Sequence, residues 1–278
     1  MKVAVLSGKG GTGKTFVSVN LAAAAKSAVY IDCDVEEPNG RLFLKPEEPV
    51  REEVSVLIPE SDPERCTGCR ECVRFCRFNA LAYLRGRIKV FREVCHSCGG
   101  CLLTCKAGAL REEAAPVGFV ETGRSGAVTV VTGELNTGEA SGVPVIRAAL
   151  RKGLTQEADT VIIDCPPGSA CSVTESISRA DCCLLVAEPT AFGLHNLRMA
   201  AELVRISGKP CGVVINKSSG EYPPLENFCK SEGLPVLLRI PYSREMAALL
   251  SGGGVAARED ADAGKMFRDL LEQIGGIR

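Results

Sequence analysis

Residues 8–15 read Gly-Lys-Gly-Gly-Thr-Gly-Lys-Thr, between an apolar run at Val3–Leu6 and a helical pattern at Phe16–Lys26. Few stretches limit a fold so tightly. G-x-x-x-x-G-K-[ST] wraps phosphate only when a strand delivers it and a helix leaves it, so that the loop amides converge at the positive end of the helix. The motif therefore predicts a nucleotide site. Gly8, Gly10, Gly11, Thr12 and Gly13 would offer backbone to ATP or ADP, Lys14 would reach the β/γ-phosphates and Thr15 would hold Mg²⁺.

The rest of the 278-residue chain carries the same rhythm. Short β-branched runs at Val29–Asp32, Thr160–Asp164, Leu184–Glu188, Val213–Asn216 and Val236–Ile240 alternate with helical patterns at His195–Ser207, Leu225–Glu232 and Lys265–Ile274. Such alternation implies an α/β fold, a P-loop NTPase with a doubly wound, mostly parallel sheet, and places sites at the carboxyl ends of its strands. A hydrophobic content of 45% suffices for a sizeable core.

Between about Pro59 and Glu113 the alternation lapses and an internal repeat replaces it. Cys66, Cys69, Cys72 and Cys76 recur 29 residues later as Cys95, Cys98, Cys101 and Cys105, and Ala80-Leu81 as Ala109-Leu110. Gly86 and the β-prone Ile88–Phe91 suit a hairpin joining the copies. C-x2-C-x2-C-x3-C written twice resembles a bacterial two-cluster ferredoxin, in which the fourth cysteine of each copy serves the other cluster. That implies one [4Fe–4S] cluster on Cys66, Cys69, Cys72 and Cys105 and a second on Cys76, Cys95, Cys98 and Cys101. Zinc is the alternative, although zinc sites usually come as two C-x2-C pairs. Arg77 and Lys106 stand where ferredoxins commonly have proline. The expected organisation is an ATPase domain over 1–58 and 114–278, with a small α+β ferredoxin-like domain inserted at 59–113.

Charge separates the insert from its host. Net charge is −1, which points to no nucleic-acid partner, yet residues 64–111 hold ten Lys/Arg against three Asp/Glu, leaving that segment at +7 and the remainder at −8. Two oxidised clusters on eight thiolates would leave the insert at about +3. An acidic redox partner fits this charge, and so does a merely solvated basic face.

Around the phosphate loop, Lys-Gly-Gly-x-Gly-Lys-Thr resembles the deviant P-loop of the MinD/ParA family, which includes the nitrogenase iron protein. The resemblance implies that Lys9 crosses a dimer interface to touch the partner's ATP. It also implies roles for residues in Ile31–Asn39 and Ile162–Gly168: Asp34 orients the attacking water, Asp32 and Asp164 support Mg²⁺ and its water shell, and Gly168 offers an amide to the γ-phosphate. Asn216 and Pro241-Tyr242 match adenine-contacting segments, with Ser243 where many relatives have Asp. With the insert, the chain resembles MinD-superfamily ATPases that contain a ferredoxin domain.

Seven of the fifteen cysteines lie outside the repeat, most of them in or beside strands, as small core residues do. Cys171 lies seven residues after Asp164, where the nitrogenase iron protein has a ligand of its intersubunit cluster, which raises an intersubunit redox role. His96 sits between cluster ligands and suits tuning a cluster; His195 is expected to cap or pack a helix. No export signal, membrane anchor or 18-residue apolar run is seen, so the cysteines are expected in a reducing cytoplasm. The leading expectation is an ATPase, dimeric with itself or a paralogue, that couples Mg-ATP binding and hydrolysis to electron transfer through the clusters. An iron–sulfur assembly or carrier factor and a positioning ATPase are the alternatives.

Overall fold

The computed structural model describes residues 1–277. Eleven strands are present among them: β1 Lys2–Leu6, β2 Ala28–Asp32, β3 Glu47–Ser61, β4 Leu81–Leu84, β5 Arg87–Val90, β6 Leu110–Ser125, β7 Val128–Leu135, β8 Thr160–Asp164, β9 Cys182–Ala187, β10 Cys211–Ser218 and β11 Val236–Pro241. Nine form one sheet in the order β11-β10-β9-β1-β8-β2-β7-β6-β3. Every pairing from β11 across to β7 is parallel. Strands β1, β2, β8 and β9 are near-continuous runs of Val, Ile, Leu and Ala, most of them fully buried, as strands covered on both faces must be. Helix Lys14–Ala24 packs on Ala261–Gly275, with Phe16 edge-on to Phe267 at 5.7 Å.

The chain divides into two compact units, one comprising Met1–Glu52, Val120–Glu134 and Ile146–Arg278, the other Glu53–Phe119 and Leu135–Val145. Strands β3 and β6 run unbroken through residues 59 and 113. Neither strand was legible, because Glu47–Glu53 and Arg111–Pro116 are rich in charge and proline, residue types depleted from strands. Gly126-Ala127 joins β6 to β7, and Gly126 adopts φ 61. In the second unit β4 and β5 form the expected hairpin, pairing Leu84 with Arg87 around Arg85-Gly86, both at positive φ as a tight two-residue turn requires.

Several element ends differ from the sequence pattern, each for a local reason. The helix expected from His195 begins at Ala191, because Thr190 Oγ1 accepts the Gly193 N–H at 2.9 Å. His195 is exposed and is not the cap. Asp260 likewise starts the last helix at Ala261 by accepting the Ala263 N–H at 2.7 Å. Glu188 lies just beyond β9, which ends at Ala187.

Candidate functional site

Strand β1 ends at Leu6, and the loop from Ser7 to Gly13 turns into helix Lys14–Ala24 at the point where strand order reverses between β8 and β9. Gly13, the N-cap, has φ 90, and a side chain there would overlap the Asn216 amide. Asn216 is buried and donates from Nδ2 to Thr12 O at 2.8 Å, so the residue expected against adenine braces the loop here. Gly168, at φ 93, donates its N–H to Ser7 O at 3.0 Å. Pro241 ends β11; Tyr242 is exposed, and Ser243 caps the next helix by accepting the Met246 N–H at 3.2 Å. Thr15, half-buried, is the second residue of the loop helix.

Beneath the loop lies a buried charge cluster. Lys14 Nζ donates to Asp164 Oδ1 at 2.8 Å and to Asp34 Oδ2 at 3.4 Å. Parallel register sets Asp32 beside Asp164, and both are fully buried. Asp32 accepts the Asp34 N–H at 3.1 Å on Oδ1 and the Gly40 N–H at 2.9 Å on Oδ2. Burial, then the neighbouring Asp164 charge, push the Asp32 carboxyl above its ordinary range, against the opposing pull of Lys14. Burial favours a neutral Lys14, but Asp164 and Asp34 outweigh it and hold the ammonium above its ordinary value. The four residues thus form a preorganised patch of one ammonium among three carboxylates, the lysine suited to a phosphate and the carboxylates to a hard cation.

Lys9, at the loop's outer edge, pairs with Glu188 at 3.2 Å and lies over the Phe192 ring at 4.9 Å. Glu188 also binds Lys217 Nζ at 2.8 Å, and Lys217 in turn donates to Gly11 O at 2.6 Å. Glu188, Lys217 and Tyr30, whose hydroxyl donates to Asp164 Oδ2 at 2.8 Å, are candidate-site residues that motif reading missed. Their only sequence signal is a polar or charged residue inside or just after an aliphatic strand.

In the second unit the 29-residue repeat is a repeat of conformation. Helices Glu71–Phe75 and Gly100–Thr104 begin after Arg70 and Gly99, at φ 65 and 69, and the left-handed pairs Gly68/Ser97 and Asn79/Gly108 keep the same spacing. Ala80 N–H points at Cys76 Sγ at 3.4 Å, and Ala109 N–H at Cys105 Sγ at 3.3 Å. Two cavities result. A narrow one of about 20 Å³ is lined by Cys66, Cys69, Cys72 and Cys105; another of about 240 Å³ is lined by Cys76, Cys95, Cys98 and Cys101. Burial and the nearby Cys95 and Cys98 push the Cys101 thiol up to about 11, and burial also raises the Cys72 thiol above its ordinary value. His96 lines the larger cavity and stacks on Phe78 at 3.8 Å. No group of three or more His, Cys, Asp or Glu among the described residues closes on a single metal ion. A polynuclear cluster needs a different arrangement, because its own width separates its ligand sulfurs. All fifteen cysteines are free; Cys33, Cys165, Cys182, Cys183 and Cys229 are buried, Cys211 is half-buried and Cys171 is exposed.

A family model described as the CobQ/CobB/MinD/ParA nucleotide binding domain matches residues 3–254. The uncharacterized protein MJ0578 of Methanocaldococcus jannaschii is 25% identical over 99% of this chain and 96% of its own length. The uncharacterized ATP-binding protein MJ0823 of the same organism is 27% identical, over 88% and 87%. Among solved structures, the cell division ATPase MinD of Pyrococcus furiosus shares the fold, with a TM-score of 0.58 at 20% identity, covering 99% of this chain and 98% of that one. No helix among the described residues is long and apolar enough to cross a membrane.

Proposed function

Because the chain belongs to the CobQ/CobB/MinD/ParA family of nucleotide-binding domains, and is a MinD/ParA-type ATPase, we propose that its ATP cycle governs electron transfer through two [4Fe–4S] clusters held by a ferredoxin-like insert. One observation carries this reading: the eight repeat cysteines line two separate cavities, each with three cysteines of one copy and the fourth of the other. The interleaving expected of a two-cluster ferredoxin is thus present in the cavity linings. When bound, the clusters would supply one-electron storage. The chain contributes eight soft thiolate ligands, N–H donors to the two crossing sulfurs, and ten Lys/Arg in 64–111 that favour an acidic partner in a reducing cytoplasm.

At the nucleotide site, Gly8, Gly10, Gly11, Thr12 and Gly13 would cradle ATP phosphates, Thr15, Asp32 and Asp164 would hold Mg²⁺ and its water, and Lys14 would turn from Asp164 to the β/γ-phosphates. Asp34, released by that movement, would orient the attacking water, the Gly168 N–H would turn from Ser7 O to the γ-phosphate, and Pro241-Tyr242 would meet the base. Asn216, braced on Thr12, would hold the loop beneath the base. Lys9 would leave Glu188 to reach the ATP of a second protomer. Iron and labile sulfide counting on anaerobically purified protein tests the cluster assignment directly: about eight irons per chain supports it, and zinc with no sulfide overturns it.

A second reading has its own support. The solved neighbours include the cell division ATPase MinD, and the comparisons favour a positioning ATPase over an electron-transfer protein. In that case the cysteine unit would be a docking or sensing module, and the nucleotide state would govern localisation. Unchanged cluster potentials across nucleotide states, with ATP-dependent recruitment to a surface or partner, would select it. ATP-dependent loss of iron to an apo-acceptor would instead identify a carrier.

A further inference from the structure

Strand β2 contains one aromatic residue, Tyr30, fully buried between Ala28, Val29 and Ile31 and two residues before the buried Asp32 that ends the strand. Buried tyrosine hydroxyls need a polar partner, and an aliphatic residue would fill the sheet without that demand. Alternation along the strand puts Tyr30 on the same face as Asp32, and the register with β8 brings Asp164 alongside. The hydroxyl donates to Asp164 Oδ2 at 2.8 Å and lies 3.5 Å from Asp32 Oδ2. Asp164 therefore has its oxygens divided, Oδ1 toward Lys14 and Oδ2 toward Tyr30.

The residue facing the ring is fitted to it. Gly40 opens the short helix Gly40–Leu44, and a Cβ there would overlap the Tyr30 ring and hydroxyl. Gly40 is not at positive φ, so space rather than backbone conformation calls for glycine. Its N–H donates to Asp32 Oδ2 at 2.9 Å, so the same residue that makes room for the phenol also holds the second carboxylate.

We infer that Tyr30 is a positioning residue of the nucleotide site: its hydroxyl fixes the rotamer of Asp164, and its ring, seated on Gly40, ties both carboxylates to the segment that follows Asp34. The inference rests on the assignment of Asp32 and Asp164 to the Mg²⁺ shell and needs no iron in the second unit. Loss of a partner that orients a metal-site ligand commonly lowers metal affinity tenfold or more.

Tyr30→Phe removes the hydroxyl and keeps the ring. With a fluorescent ATP analogue, the Mg²⁺ concentration at half-saturation should rise about tenfold, while nucleotide affinity in EDTA stays within twofold. A purely structural role would lower the melting temperature and leave the Mg²⁺ requirement alone, so an unchanged requirement overturns the inference whatever the stability. Gly40→Ala, which keeps the hydroxyl but displaces the ring, is read in the same way if Tyr30→Phe does not fold. Asp164→Asn separates the two levels: a Mg²⁺ requirement that moves with Asp164→Asn but not with Tyr30→Phe sinks the role of Tyr30 alone, and one that moves with neither sinks the site assignment beneath it.

Discussion

If the chain forms the proposed nucleotide-dependent dimer, replacing Glu188 with Gln should tighten it. Glu188 holds Lys9 at 3.2 Å and Lys217 at 2.8 Å, with side chains 15%, 28% and 45% exposed in that order. Pairs this accessible are worth about 0.2–1 kcal/mol each. At about 0.7 kcal/mol for the Lys9 pair, and with two copies broken per dimer, the substitution should favour association by about 1.4 kcal/mol, roughly tenfold. The monomer meanwhile loses about 1 kcal/mol, a drop of roughly 2–4 °C in melting temperature. Burial raises the Glu188 carboxyl, but Lys217 and Lys9 outweigh it and hold it below its ordinary value. A depressed acid contributes stability above its unfolded pKa and loses it as pH falls through the folded value. The stability gap between parent and variant should therefore be present at pH 7 and close as the pH falls below about 4. Sedimentation velocity with a non-hydrolysable ATP analogue gives the dimer constant. An unchanged or weaker dimer, with the stability gap present, would refute the idea that Lys9 is held in reserve for a second protomer.

Other outcomes follow from the same geometry. Lys14→Ala should abolish ATP turnover and destabilise the nucleotide-free protein by about 3–5 kcal/mol, since it strands the buried Asp164 carboxylate; denaturant unfolding reads the second effect. Gly13→Ala, strained at φ 90 and pressed on Asn216, should cost about 1–3 kcal/mol and weaken nucleotide binding measured by calorimetry. Cys66→Ser and Cys105→Ser should each remove about four irons, and together no more than either alone, whereas Cys66→Ser with Cys76→Ser should remove about eight, as metal analysis would report.

Strands β1, β2, β8 and β9 were legible because buried parallel strands are short aliphatic runs, β10 and the half-buried edge strand β11 keep enough aliphatic residues to show the same pattern, and the loop motif has one structural context. The cysteine repeat was legible because its spacing recurs in the sequence itself, and the backbone follows it, with left-handed residues recurring every 29 positions. Strands β3, at the sheet edge, and β6, next to it, were hidden by charges and prolines at their exposed ends. Tyr30, Glu188 and Lys217 were hidden for a different reason. Each acts on a residue distant in sequence, so nothing local marks it: Tyr30 reaches across 134 residues to Asp164, and Lys217 across 206 to Gly11.

The proposed coupling of nucleotide state to a redox centre is most directly tested by a redox titration followed by EPR on anaerobically purified protein, nucleotide-free, with ADP, and with a non-hydrolysable ATP analogue. An ATP-gated electron-transfer protein should give two interacting [4Fe–4S] signals whose midpoint potentials shift between the ADP and ATP-analogue states. Two signals with identical potentials in all three states would contradict the coupling and leave the positioning ATPase as the standing explanation.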